Sequence, residues 1–284
     1  MVAQDCQSIE WKEKRVEDLR GKVAIITGGA NGMGEAVSRT LASHGTRVVI
    51  ADIDVERAMR VAGEIQASGG DAVSIPTDVG DEARVIALVE QVMADYGRID
   101  IVDNNAAALE LIAEDPDIVQ LEARILEGTL RVNLMGPFYL CKYVIPHMIA
   151  GGGGSIINMG SVSGISGEPR LSAYGISKGA IMQLTRAVAA QYGKQGVRCN
   201  SVAPALVLTE NADAWTTTEF KDNYIRHSLT PYVGRPQDIA NLVVFLASDL
   251  SRYMTGHIVY ADGGLRTALP TLADGRTLGD VYGD

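Results

Sequence analysis

The chain predicts an α/β fold in which one parallel β-sheet is wound on both faces by helices, in a single domain. Three observations predict it. Short apolar runs rich in β-branched residues, as in strands buried on both faces, alternate with helical periodicity between residues 22 and 260. A glycine-rich turn joins the first of these strands to the first helix. The length of 284 residues is enough to bury a large core, and α/β chains of this size often stay undivided.

The first strand is Lys22-Val-Ala-Ile-Ile-Thr27, bounded by Gly21 and Gly28. Gly28, Gly29, Ala30, Asn31, Gly32, Met33 and Gly34 follow at once. Glu35 to His44 then shows helical periodicity, with Ala36, Val37, Thr40 and Leu41 on one stripe. Strand, glycine turn and helix make a phosphate cradle. Glycine lets the backbone approach a pyrophosphate, and the helix N-terminus offers free N–H groups and partial positive charge. The spacing is T-G-x-x-x-G-x-G and not G-x-G-x-x-G. A second strand, Arg47-Val-Val-Ile-Ala51, ends at Asp52. A carboxylate at this strand tip accepts from the adenosine ribose hydroxyls of NAD and repels the extra phosphate of NADP. Neither Asn31 nor Ile53 supplies a cation for that phosphate. The cofactor expected is therefore NAD.

Farther along, Tyr174 and Lys178 stand four residues apart in Ser172-Ala-Tyr-Gly-Ile-Ser-Lys178. On a helix they share a face. A free phenol ionises near ~10 and is a poor base at neutral pH. A nearby ammonium favours the phenolate, which could exchange a proton with an alcohol or carbonyl oxygen. Ser161, thirteen residues before the tyrosine, is the hydroxyl donor, with Ser163 a weaker candidate. The stretch from Leu206 to Tyr232 gathers Leu206, Leu208, Trp215, Phe220, Tyr224 and Tyr232 in a chain with 5% aromatics. Such groups suit a hydrophobic substrate, cyclic secondary alcohols or ketones included, better than a small charged acid. Where they do not line a site, the same rings anchor the segment to the core.

These motifs, in this order, resemble the short-chain dehydrogenase/reductase family from Lys22 to Gly264. The resemblance implies a Rossmann-like sheet and adds further positions. Asp78-Val79 is similar to the pair that contacts adenine, and Asn104-Asn105-Ala106 to the turn after strand four. Asn133 in Arg131-Val-Asn-Leu-Met-Gly136 matches the asparagine of an active-site tetrad completed by Ser161, Tyr174 and Lys178. Asn200 to Pro204 matches the strand end beside the nicotinamide, with Val207 and Thr209 following. Gly234-Arg-Pro and Asp262-Gly-Gly264 match C-terminal signatures. The implied chemistry is NAD-dependent interconversion of a secondary alcohol and a ketone. Tyr174 exchanges the proton, Ser161 holds the substrate oxygen, Lys178 lowers the tyrosine pKa and binds the nicotinamide ribose, and Asn133 places a relay water. The expected domain is 21–264 with a mobile lid at about 205–232, preceded by an extension, 1–20, and followed by a tail, 265–284, carrying Arg266 and Pro270.

Three departures stand out. Ala107 and Ala205 replace glycines and either narrow the space beside the cofactor or shift the backbone. Asp103 falls where an apolar strand residue is usual. Inside a buried strand it needs a partner or a raised pKa, and a partly wet place at the strand mouth is the expectation. Two other functions stay open: a catalytically inactive NAD(H)-binding regulator, against which the complete tetrad speaks, and carbon–carbon double-bond reduction. Enoyl reductases of this superfamily usually space Tyr and Lys more widely.

Composition narrows the partners. The chain has 25 basic and 35 acidic residues, a net charge of −10, which argues against nucleic-acid and anionic-membrane surfaces. No apolar run approaches the ~20 residues of a membrane span, and the polar stretch Met1 to Arg20 lacks a signal-peptide core, so a cytoplasmic place is expected. Cys6, Cys141 and Cys199 suggest no disulfide framework, the latter two reading as core. His44, His147, His227 and His257 show no metal-ligand spacing, and only His227 lies near the substrate region. The segments Asp117–Ile149 and Ser172–Tyr192 carry apolar positions beyond one stripe. By resemblance the matching helices pair across a two-fold axis, so a homo-oligomer, dimer or tetramer, is expected.

Overall fold

Seven β-branched-rich segments form strands β1 (Val23–Thr27), β2 (Arg47–Asp52), β3 (Asp71–Pro76), β4 (Ile101–Asn104), β5 (Gly154–Met159), β6 (Val197–Pro204) and β7 (Ile258–Ala261). The structure, a computed structural model, describes residues 16–267, 269 and 271, with only the backbone of Asn211 and Trp215. The strands make one parallel sheet in the order β3-β2-β1-β4-β5-β6-β7. The chain runs outward from β1 to β3 and then returns to place β4 on the other side of β1. That reversal opens a crevice beyond the carboxyl ends of β1 and β4, the place where such sheets bind ligands.

The helices are α1 (Gly32–Ser43), α2 (Val55–Ala67), α3 (Glu82–Tyr96), α4 (Ala123–Leu130), α5 (Gly136–Ala150), α6 (Ser172–Tyr192), α7 (Glu210–Trp215), α8 (Thr218–His227) and α9 (Pro236–Ala247). Because the strands are buried on both faces, two apolar layers form. One joins α1, α2 and α9 to Ala24, Ile26, Ile50, Ile101 and Ile157. The other joins α3, α5 and α6 to Ile25, Val49, Val102 and Ile156. Cys141 and Cys199 are buried in the second layer; Cys6 lies outside the described residues. Leu19, in the segment expected as an extension, is fully buried in the first layer.

The first helix begins at Gly32, earlier than its apolar stripe suggests, because Asn31 turns to an extended backbone and opens it. The segment Asp117–Ile149 is not one helix. A π-turn at Arg131–Met135 separates α4 from α5. Pro137 follows and brings no N–H to the ladder, while Gly136 packs on Val79, where a Cβ would come within 2.8 Å of a methyl carbon.

Asp103 corrects the wet placement. It is 0% exposed, its register partners are Ile26 on β1 and Ile157 on β5, and neither carboxyl oxygen has a hydrogen-bond partner. The short strand β4 continues one residue past it, so the strand mouth lies beyond. Among the described residues no cluster of His, Cys, Asp and Glu could hold a metal, and no helix is long and apolar enough to cross a membrane.

Candidate active site

The cradle is built by glycine. Gly28 and Gly32 take φ of +63° and +55°, which L side chains rarely adopt. Gly34 lies where a Cβ would be 2.1 Å from the Gly28 carbonyl oxygen, so the first turn of α1 packs directly on the loop. Thr27 Oγ1 accepts from the backbone N–H of Asn105 and Ala106 at 3.1 and 3.2 Å, and Asn105 Nδ2 donates to Gly28 O at 3.1 Å. The ends of β1 and β4 are thereby locked at the crevice. Asp52 is held at its strand tip by accepting from the N–H of Ala30 and of Asp54, each at 3.0 Å.

The chemical end is carried by β5 and α6. Ser161 follows β5, 6% exposed; its Oγ accepts from Ser163 N at 3.2 Å and its hydroxyl is hydrogen-bonded to Tyr174. Asp115 orients the first turn of α6, its two carboxylate oxygens accepting from Ala173 N at 3.0 Å and Tyr174 N at 2.9 Å. An anion at a helix N-terminus is favoured by the exposed N–H groups and the dipole. One turn on, buried Lys178 donates from Nζ to Met159 O at 2.7 Å, with Nζ 5.5 Å from the Tyr174 ring centroid.

The electrostatics correct one expectation. The Tyr174 phenol is not lowered; burial raises it, Glu168 adds to the rise and the Ser161 hydrogen bond opposes it. Lys178 does not offset that burial, because burial pushes its own ammonium down to about 8, with Asp103 opposing. A cation that is itself close to losing its proton, and is bonded to a carbonyl, lends the phenol little charge.

Nearly all the expected residues meet on the wall of one cleft of about 480 Å³. Gly28, Asn31, Gly32 and Met33 come from the cradle, Asp52, Ile53, Asp78 and Val79 from the ends of β2 and β3. Asn105, Ala106, Ser161, Tyr174 and Lys178 line its centre, and Pro204, Val207 and Thr209 close it from beyond β6. Two expected residues are behind the wall. Gly34 serves packing, and Asn133 is 2% exposed, accepting from Ala108 N at 2.8 Å and donating to Ser177 Oγ at 3.0 Å. Asn133 thus ties the π-turn to the loop after β4 and to α6. Ser163 donates to Glu168 and does not line the cleft, and His227 is exposed at the end of α8.

The residues present fit a nicotinamide dinucleotide. A cradle that a Cβ would fill leads to a fixed carboxylate at one end and a hydroxyl pair at the other, and Asn105 on the wall keeps a buried Oδ1 without a protein partner. Sequence reasoning missed Leu109, Glu110 and Arg131 on the wall. The Arg131 guanidinium is 2.9 Å from the Asp78 carboxylate, which it and the Gly80 N–H hold below the usual range against burial. Its place two residues before Asn133 is a signal that could have found it; Leu109 and Glu110 carry none. Ala107 and Ala205 also line the cleft, with no left-handed backbone at either.

The lid expectation is met only partly. Leu206 lines the cleft, whereas Tyr224 and Tyr232 line a second cavity beside Gly263. Tyr224 Oη accepts from Leu206 N at 3.0 Å, and the Phe220 ring lies tilted beside its ring, centroids 6.2 Å apart. These rings anchor the segment. The side chain of Trp215 lies outside the described residues, as does Pro270; Arg266 stacks on Tyr260 at 4.2 Å.

A family model described as enoyl-(acyl carrier protein) reductase matches residues 28–266. A probable short-chain type dehydrogenase/reductase of Bradyrhizobium diazoefficiens is 42% identical over 257 residues, covering 90% of this chain and 92% of its own. The crystal structure of a gluconate 5-dehydrogenase from Burkholderia cenocepacia in complex with NADP and tartrate is similar with a TM-score of 0.83 and 32% identity, covering 89% of this chain and 99% of that one. A 7α-hydroxysteroid dehydrogenase complexed with NADH and 7-oxoglycochenodeoxycholic acid is similar with a TM-score of 0.82 and 32% identity, covering 87% and 96%.

Proposed function

The chain belongs to the short-chain dehydrogenase/reductase family, and from that premise we propose an NAD-dependent oxidoreductase that interconverts a hydrophobic secondary alcohol and its ketone. The single observation that carries this reading is the hydroxyl pair Ser161–Tyr174, with Lys178 one turn along, at the end of a glycine cradle in one cleft. Relatives of similar fold act on a hydroxysteroid and on gluconate, so alcohol and ketone chemistry is common ground while the substrate differs.

Gly28, Asn31, Gly32 and Met33 would hold the pyrophosphate; Asp52 and Ile53 the adenosine ribose; Asp78 and Val79 the adenine. Asn105, Ala106, Lys178, Pro204, Val207 and Thr209 would hold the nicotinamide half. Bound there, the nicotinamide supplies the hydride acceptor or donor. The chain's own residues do the rest. The Ser161 hydroxyl donates to the substrate oxygen and holds it beside the phenol. Tyr174 Oη takes the alcohol proton in oxidation and returns it in reduction. Lys178 approaches the phenol as an ammonium, and Asn133 keeps the loop after β4 fixed to α6. Position and electrostatics are the protein's share.

NAD is preferred to NADP because the Asp52 carboxylate stands where the extra phosphate would lie. Relatives carry either cofactor, so this residue decides. Ala107, Ala108, Leu109, Leu206 and Ala212 make the substrate end apolar, with Glu110 the one carboxylate among them on the wall. That lining favours an uncharged, apolar alcohol over a carboxylate. Exposed Phe138 on α5 and Ile176 on α6 support a homo-oligomer joined through these helices. Incubation with NAD⁺ and a panel of secondary alcohols, scored by NADH formation, tests the reading. Binding of NADH without turnover would replace it with a regulator. Reduction of an enoyl thioester with no ketone reduction would replace it with double-bond chemistry.

A further inference from the structure

Asp103 is a carboxyl that neither the fold nor the proposed chemistry uses. It is fully buried, and both oxygens lack partners. Its register partners are apolar, and the buried faces of α1 and α9 over this side of the sheet present no charged side chain. The Ser38 hydroxyl is committed to the carbonyls of Gly29 and Gly34 at 3.3 and 2.9 Å. The nearby group that answers Asp103 is Lys178. Gly160 N donates to Val202 O on β6, so by strand alternation the Met159 carbonyl faces the β4 side, and the ammonium on it stands over the end of β4. Asp103 pairs with Ile157, two residues before Met159. A rise of about 3.3 Å per residue and a strand spacing of about 4.8 Å place the backbone of Asp103 on the order of 8 Å from that of Met159, whose carbonyl holds the ammonium. The Tyr174 phenol also faces this ammonium, its ring centroid 5.5 Å from Nζ, and burial raises it, so it stays neutral where the pair titrates; Asp115 caps α6, and Glu168 acts on Tyr174.

We propose that Asp103 is a positioning residue, the buried counter-charge of Lys178, which keeps the ammonium charged in alkaline solution and so sets the upper pH limit of turnover. The proposal rests on the dehydrogenase reading. Below that limit the pair is a carboxylic acid and an ammonium, with one net positive charge. As pH rises the acid gives up its proton, and the carboxylate formed favours the ammonium, so the second proton leaves later. The two groups stand at about 8 each, burial being the first cause in both and each opposing the other's burial shift. Neither group alone in this interior would keep its charge over the same range.

The test compares pH–rate profiles of NAD⁺-dependent alcohol oxidation for the full chain, Asp103→Asn and Asp103→Val. Expected is an alkaline limb moved down by about one pH unit in both variants, with the acid limb in place. An unmoved alkaline limb in both overturns the proposal and leaves the dehydrogenase reading standing. If the parent chain oxidises no alcohol, that reading falls instead, and infrared spectroscopy of the carboxyl C=O stretch decides the pair. Expected is a protonated-carboxyl band that titrates near pH 8, is absent in Asp103→Asn, and moves up by about one unit in Lys178→Met. Absence of the band, or an unchanged midpoint in Lys178→Met, overturns the coupling.

Discussion

Replacing Asp103 by Val should stabilise the fold, by an amount that depends on pH. The folded chain holds this carboxyl at about 8, against a free value of 3.8. A carboxyl raised on folding leaves stability intact below its free value and removes it as pH climbs through the folded value. At pH 7 about three units separate the medium from the free value, a cost of about 4 kcal/mol at about 1.4 kcal/mol per unit. At that pH the folded Asp103 is the neutral acid, so its removal takes no charge from Lys178. The net expectation is that Asp103→Val is about 4 kcal/mol more stable at pH 7. Its advantage should shrink by about 1.4 kcal/mol for each pH unit down to about 4, where only relief of the two unpartnered oxygens remains. Urea unfolding at fixed protein concentration, from pH 4.5 to 8, measures it. An advantage that does not change with pH, or a loss of stability at pH 7, would refute the buried acid.

Other outcomes test the site itself. Tyr174→Phe should bind NADH within a few-fold of the parent by fluorescence titration while turnover falls by about a hundredfold or more, and Lys178→Ala should lose both. Asp52→Ala with Ile53→Arg should bring the kcat/KM ratio of NAD to NADP toward one, because repulsion is removed and a phosphate partner is added; a parent chain that prefers NADP contradicts the Asp52 reading. Gly34→Ala places a methyl 2.1 Å from Gly28 O and 2.5 Å from Asn105 Nδ2. It should weaken NADH binding at least tenfold and cost roughly 1–3 kcal/mol of stability.

What could be read from the sequence was what local pattern dictates. Apolar runs gave β1 and β2, glycine spacing gave the cradle, and the four-residue interval put Tyr174 and Lys178 on one face of α6. What could not be read was set by contacts across the fold. Whether Asp103 is wet depends on where β4 ends and on what α1 and α9 lay over it. The phenol is raised and not lowered because burial, which has no sequence period, is the first cause, and the lysine beside it is itself pushed toward neutrality. Tyr224 looked like a substrate wall because aromatic residues cluster near it. Its hydroxyl instead accepts from the Leu206 N–H and anchors the segment.

Leu109 and Glu110, which the sequence did not mark, show how the substrate end is organised. They open the short 3₁₀ segment Leu109–Glu114, and that segment runs straight into Asp115. Asp115 takes the N–H groups of Ala173 and Tyr174, its carbonyl accepts from Leu171 N at 3.2 Å, Pro116 O accepts from Ser172 Oγ at 2.9 Å, and Ala113 O accepts from Arg170 at 3.2 Å. The cleft wall formed by Leu109 and Glu110 and the turn that carries the phenol are therefore one strapped piece. Leu171, the one described residue other than glycine with positive φ, at 66°, lets the chain turn sharply enough to bring them together. The segment carrying α7 and α8 is held differently, through Leu206 to Tyr224 and through Leu229 and Thr230 N–H groups on Gly263 O. Under the proposed function, changes in the second piece would alter substrate size without disturbing the first. Under the same reading, Ser161, Tyr174 and Lys178 would keep one relation to the cradle while the second piece is free to differ with the substrate, so the site that selects and the site that reacts can change independently.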